Sequence, residues 1–163
     1  MVLKLGQPVV YLPKNNANEN STLVSPCFDF TGESNLDVSF SIWWDIEQSW
    51  EGAVFQYTTN NGATWQTIGG FGDTTNWYNR NDINSAPWGS NQGWSGDVDL
   101  GGSSGGWLNL SHVIDQLAGL SEVKFRFAFA SDEIYQYDGL AIDNFKVYNP
   151  NTVYTCSDTN YSC

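Results

Sequence analysis

The sequence predicts an all-β protein, an antiparallel β-sandwich, and three observations carry that expectation. Leu36 to Ile46 alternates, with Leu36, Val38, Phe40, Ile42, Trp44 and Ile46 on one face of an extended chain. Val123 to Ala130 alternates in the same way. Turns rich in Gly and Asn separate such runs, and no stretch shows the 3.6-residue period of an amphipathic helix.

The elements follow in order. Residues 1–19 read as an irregular N-terminal segment. Ser21–Ser25 and Cys27–Phe30 read as a first short strand interrupted at Pro26. Leu36–Ile46 is a long strand and Ala53–Thr58 the next. Asn60-Asn61-Gly62 predicts a tight turn, because Asn and Gly tolerate the positive φ that such turns need. Trp65–Ile68 returns. Gly69 to Gly106 loses all periodicity, yet it carries Phe71, Trp77, Tyr78, Trp88 and Trp94. A loop of that length in a compact domain usually has a function. Trp107–His112 is a strand, Val113–Gly119 a short helical turn ended by glycine, and Val123–Ala130 and Leu140–Tyr148 the last strands. Residues 20–149 thus form the sandwich module, and residues 150–163 a tail or linker.

Of 163 residues, 18 are Asp or Glu and 6 are Lys or Arg, a formal net charge of −12. Phosphate backbones and anionic membrane surfaces are repelled by such a chain, so no nucleic-acid partner is expected. No run of about 18 apolar residues exists, so no membrane insertion is expected. The opening Met1–Gly6 is too short for a signal peptide, which makes an exported chain an excised piece of a longer precursor. Aromatics make up 15% of the sequence, more large rings than a core of this size is expected to hide. Cys156 and Cys163 are spaced to close a small disulfide loop in an oxidising compartment, leaving Cys27 as a buried free thiol.

The ordered series Leu23-Val24-Ser25-Pro26, Val38-Ser39-Phe40, Trp44-Asp45-Ile46-Glu47 and Asn60-Asn61-Gly62-Ala63-Thr64-Trp65 continues into Gly93-Trp94-Ser95-Gly96. It ends with Leu117-Ala118-Gly119, Val123–Phe127, Ser131-Asp132 and Asp138-Gly139-Leu140-Ala141-Ile142-Asp143-Asn144. This set resembles the MAM-like jelly-roll modules of secreted bacterial proteins over roughly residues 20–148. The resemblance implies a jelly roll, also similar to carbohydrate-binding modules, serving as an accessory domain of extracellular peptidases, polysaccharide-degrading enzymes or adhesins. Trp50-Glu51-Gly52 departs from it, standing where the family more often has an Asp-Gly pair.

Two constellations are candidates for function. Carboxylates on loops and strand ends (Asp45, Glu47, Glu51, Asp132, Glu133, Asp138 and Asp143) offer the oxygen ligands that calcium prefers. The resemblance adds a structural calcium between the N-terminal segment and the last strand, with Asn18, Glu19 and Asp143 at the matching positions. The expected metal set is therefore Asn18, Glu19, Asp45, Glu47, Asp138 and Asp143. The alternative is a set of solvated acids on separate loops. In the aromatic loop, Trp77, Tyr78, Arg80, Trp88 and Trp94 could stack on and bond a sugar; alternatively its Trp residues anchor it to the sandwich.

Catalysis is not expected. His112 is the only histidine and has no nucleophile elbow beside it. A glycosidase-type pairing among Glu47, Glu51 and Glu133 is open by geometry alone. The sequence thus points to a secreted or cell-surface binding module with a structural calcium. Its partners would be a polysaccharide or cell-surface glycan, together with neighbouring domains of a larger chain. The alternatives are a structural or adhesive domain making protein contacts, and a glycan-cleaving jelly-roll enzyme.

Overall fold

The computed structural model describes residues 15–86 and 88–151, together with the backbone of residues 10 and 11. Among the described residues, eight strands form two four-stranded antiparallel sheets. The strands are β1 (Val10–Tyr11), β2 (Asn20–Val24), β3 (Asp37–Asp45), β4 (Gly52–Thr58), β5 (Gln66–Thr67), β6 (Leu108–Val113), β7 (Lys124–Ala130) and β8 (Gly139–Tyr148). The first sheet has the order β1-β8-β3-β6 and the second β2-β7-β4-β5. The protein is an all-β sandwich, as its alternation predicts. Two short 3-10 turns, Val98–Leu100 and Asp115–Leu117, are the only helical elements among the described residues.

Alternation sets the core. Val38, Phe40, Ile42 and Trp44 of β3 point inward against Phe55, Phe125, Phe127 and Phe145. Phe40 and Phe55 each hold Phe127 at ring-centroid distances of 4.9 and 4.8 Å. Each such ring, fully buried, contributes about 1.5–3 kcal/mol.

The sequence and the structure differ in four places. The segment expected to be irregular supplies β1, whose Val10 and Tyr11 pair with Ile142 and Ala141; a two-residue strand is too short to show a period. Cys27–Phe30 gives only an isolated bridge, Phe28 to Val123, because Pro26 breaks the ladder. The Asn-Gly turn forms with positive φ at Asn61 and Gly62, but inside a longer link before β5. Cys27 is disulfide-bonded, which corrects its reading as a free thiol. Cys156 and Cys163, and the loop expected between them, lie outside the described residues.

The aromatic loop is not a free excursion. Arg80 bridges to Gly93, and Trp94 pairs with Ala53 of β4. On the other side Thr74 Oγ1 donates to the Ser111 carbonyl, and the His112 ring meets Asp73 Oδ2 at 2.8 Å. Residues 69–94 therefore span from the β4 edge of one sheet to the β6 edge of the other and close that side of the sandwich.

Candidate functional site

At one end of the sandwich three loops meet: residues 46–51 after β3, 96–106 before β6 and 131–138 between β7 and β8. Glu51 N–H donates to the Glu47 carbonyl at 3.1 Å, closing the first loop into a turn. Ser95 supports that turn from outside: its Oγ lies 3.2 Å from the Glu47 carbonyl oxygen and accepts from Ser49 N–H at 2.9 Å. The flanking glycines are steric necessities. A Cβ at Gly96 would lie 2.0 Å from the Ile46 carbonyl oxygen, and one at Gly93 would lie 2.4 Å from that of Ala53. The Gly93-Trp94-Ser95-Gly96 motif is a clamp that fixes where the loop can sit.

Five carboxylates gather at this end. Asp45 ends β3 opposite Gly139, beside Asp138. Glu51 has no exposed surface. It accepts from Glu47 N–H at 2.8 Å and from the side-chain amide of Asn15. Asn15 in turn is locked to Tyr137 by two backbone-directed bonds, at 3.1 and 2.8 Å. Burial pushes the Glu51 carboxyl up to about 7. Burial, then Asp132, raises Glu47; burial, then Asp138, raises Asp45. The Tyr137 phenol is raised by burial and then by Glu47, Asp45 and Glu51, which places it among the same charges. One oxygen of Glu47, Oε2, is buried with no hydrogen-bond partner. Among the described residues, the ion pairs are Arg80–Asp82 and His112–Asp73, so no Lys or Arg there pairs with the cluster.

The donors are all oxygen, the chemistry of a hard cation. Among the described residues no three acidic, His or Cys side chains converge closely enough to hold an ion alone. Carbonyl, amide or water oxygens would have to complete a coordination shell.

Of the metal set expected from sequence, the structure brings together Asp45, Glu47 and Asp138. It adds Glu51 and Asp132, and Asn15, which no sequence pattern singled out within its Asn-rich run. Asn18 sits at the rim through its backbone, donating to the Asp132 carbonyl at 2.7 Å. Glu19 is turned to its own segment, accepting from Asn16 N–H and Ser21 Oγ, both at 2.8 Å. Asp143 is four positions along β8, opposite Ser41 on the outer face of the sheet. Glu19 and Asp143 are thus separated from the cluster.

The expected sugar-stacking set is redistributed more sharply. Trp77, Tyr78 and Trp94 are 2%, 1% and 0% exposed, so these rings are core and offer no face to a ligand. Their polar atoms are satisfied: Trp77 Nε1 donates to the Ile68 carbonyl, Trp94 Nε1 to that of Asn76 and the Tyr78 hydroxyl to that of Phe55. Trp88 is half-buried against the core and donates to the Gln92 carbonyl. Arg80 pairs with Asp82 and reaches the Ser49 hydroxyl. The physical reason is that the open side between β4 and β6 needs large rings to fill it.

No protein-family model matches the chain, and no curated protein matches it.

Proposed function

We propose that the chain is a non-catalytic binding module of an exported protein whose loop end is tied together by a divalent cation, calcium by its chemistry. The observation that carries this is the buried, unpartnered Glu47 Oε2 beside the fully buried Glu51. Burying charge without a counter-charge is costly, and a cation would remove that cost. Asp45, Glu47, Asp132 and Asp138 are the residues that would hold it, with Glu51 orienting the turn. The cystine at Cys27 supports an oxidising compartment. Strand orders of β1-β8-β3-β6 and β2-β7-β4-β5, in which every consecutive pair of strands except β4-β5 crosses between sheets, support the jelly-roll reading.

The test is thermal unfolding with calcium and with chelator. Calcium is expected to raise the melting temperature by several degrees, because an ion bound to the folded state alone adds stability by mass action. Identical curves in the two conditions would remove the cation from the account. The binding reading is favoured over a glycan-cleaving enzyme on two grounds. Glu51, with its raised carboxyl, has no surface with which to touch a substrate. His112 has its ring nitrogens against Asp73 and the Val113 carbonyl.

A second reading has its own observation. Trp50, Val98, Leu100, Ile134 and Tyr135 are exposed on these same loops. They would suit contact with a neighbouring domain in an adhesive protein. Replacing Trp50 and Tyr135 by Ser would then lower affinity for that domain and leave the calcium effect intact.

A further inference from the structure

The outward side of the β8-β3-β6 sheet has a composition the core does not explain. Its register is Ser41 opposite Asn109 and Ser39 opposite Ser111. One step beyond the last pair, Ile42 with Leu108, the outward positions are Trp43 and Trp107. Trp107 is 47% exposed. Across three strands, Asn144 donates to Ser41 Oγ at 3.2 Å, and Ser41 donates to Asn109 Oδ1 at 2.8 Å. That chain fixes the Asn109 side chain and leaves its amide N–H groups without a partner among the described residues. Ser39 and Ser111 use none of their side-chain hydrogen-bonding capacity among the described residues. At the far end Thr74 and Thr75 of the loop rise over Asn109, Ser111 and Asp37. They enclose a concavity of about 240 Å³.

We propose that this face binds a neutral polysaccharide lying along β3 and β6. One sugar ring stacks on Trp107, and the hydroxyls of the following units are read by Asn109, Ser111 and the Thr74–Thr75 rim. Three facts select that occupant. A run from Trp43 to Asp37 spans roughly 20 Å at about 3.3 Å per residue, the length of a short oligosaccharide and not of a single sugar. Along β3 and β6 the middle groups are neutral hydroxyls and amides, Ser39, Ser41, Asn109 and Ser111, which match a hydroxyl-rich ligand, while the charged Asp143 and Lys146 flank them on β8. The chain's charge of −12 repels acidic polymers. The inference rests on the binding-module reading and moves the ligand from the aromatic loop to the sheet that the loop borders.

The test is gel retardation and calorimetry of the whole chain with soluble mixed-linkage β-glucan, xylan and galactomannan, and with polygalacturonate as the acidic comparison. At least one neutral polymer is expected to bind, and polygalacturonate is not. Trp107→Ala should weaken that binding about tenfold or more, as for an anchoring ring at an interface. Asn109→Ala should weaken it by a smaller factor, and Val24→Ala, exposed on β2 of the other sheet, should leave it unchanged. Trp107 is exposed, so its variant is expected to keep the parent melting temperature. Absence of binding to every neutral polymer would overturn the proposal. So would equal binding by Trp107→Ala and the parent, or a dimer in light scattering that the Trp107→Ala variant abolishes. A calcium-dependent melting shift in the parent chain, with no binding to any neutral polymer, would show that the sheet face has failed while the cation reading stands.

Discussion

The aromatic loop and the carboxylate end are both rich in chemistry, but they settle it in opposite ways. In residues 69–94 Trp77, Trp88, Trp94 and Tyr78 each reach a backbone carbonyl through their ring N–H or hydroxyl, and Trp77, Tyr78 and Trp94 are shut inside. At the loop end a carboxylate oxygen is buried with nothing to bond, and three acids are pushed above their usual range. The loop's own buried atom without a partner, Ser90 Oγ, is a neutral hydroxyl, and a region whose large rings are satisfied is architecture. A region left electrostatically incomplete asks for something from outside. Density of aromatic or acidic residues in a sequence does not separate these cases; hydrogen-bond completion in the fold does.

The sharpest way to break this comparison is Trp94→Ala. If the loop is core, that change costs about 3–5 kcal/mol, as for large rings removed from a packed interior. Chemical denaturation would show it, and a loss under 1 kcal/mol would mean the loop is dispensable to the fold. Next comes Gly96→Ala, where the added methyl must displace the Ile46 carbonyl and with it the Glu47–Glu51 turn. We expect a loss of roughly 1–3 kcal/mol, together with a weakened calcium effect on melting. An unchanged calcium effect in a folded Gly96→Ala would uncouple the clamp from the cluster.

The third effect is pH. The folded-state carboxyl of Glu51 is raised to about 7 from 4.5, so the folded chain holds a proton that the unfolded chain releases earlier. In chelator, stability is then highest below about 4.5 for this group and falls as pH rises from there through 7. Other carboxylates superimpose their own dependence, so the comparison is with Glu51→Gln, which should lose this component. Parallel pH profiles for the two proteins would contradict it. The smallest effect belongs to Asp73, held low by the hydrogen bond from His112. Its contribution is present above the unfolded carboxylate value and lost as pH falls through the lower folded one. Asp73 is 44% exposed on its side chain, so Asp73→Asn should cost less than about 1 kcal/mol in equilibrium unfolding.

The sandwich was legible because β3 and β7 alternate strictly, and a buried face enforces period two. β1 was not legible, since two residues carry no period and its pairing comes wholly from Ile142 and Ala141. The acids of the site could be read: Asp45, Glu47, Glu51, Asp132 and Asp138 all stand among the loop and strand-end carboxylates of the sequence, though only Asp45, Glu47 and Asp138 of them fell in the expected metal set. Asn15 could not, because its role depends on one contact across 36 positions to Glu51. Glu19 and Asp143 looked equivalent to the others in sequence, but strand register sends Asp143 to the outer face and a local turn claims Glu19. The rings of the loop looked available because nothing in residues 69–94 reveals that the β4 and β6 edges stand open without them.

The pairing of β1 with β8 bears on how the module carries mechanical load. These strands are antiparallel neighbours, with Val10 beside Ile142 while β8 runs on to Tyr148. A tension applied through the two ends of the domain therefore separates them at one end and peels the ladder one rung at a time. Peeling breaks hydrogen bonds singly, whereas shear would load them together. The first event in a single-molecule stretching trace should accordingly come at low force, with β1 released before the β3–β8 pairing yields. A high-force first event would contradict this. The carboxylate loops lie at the opposite end of β8, away from that line of pull.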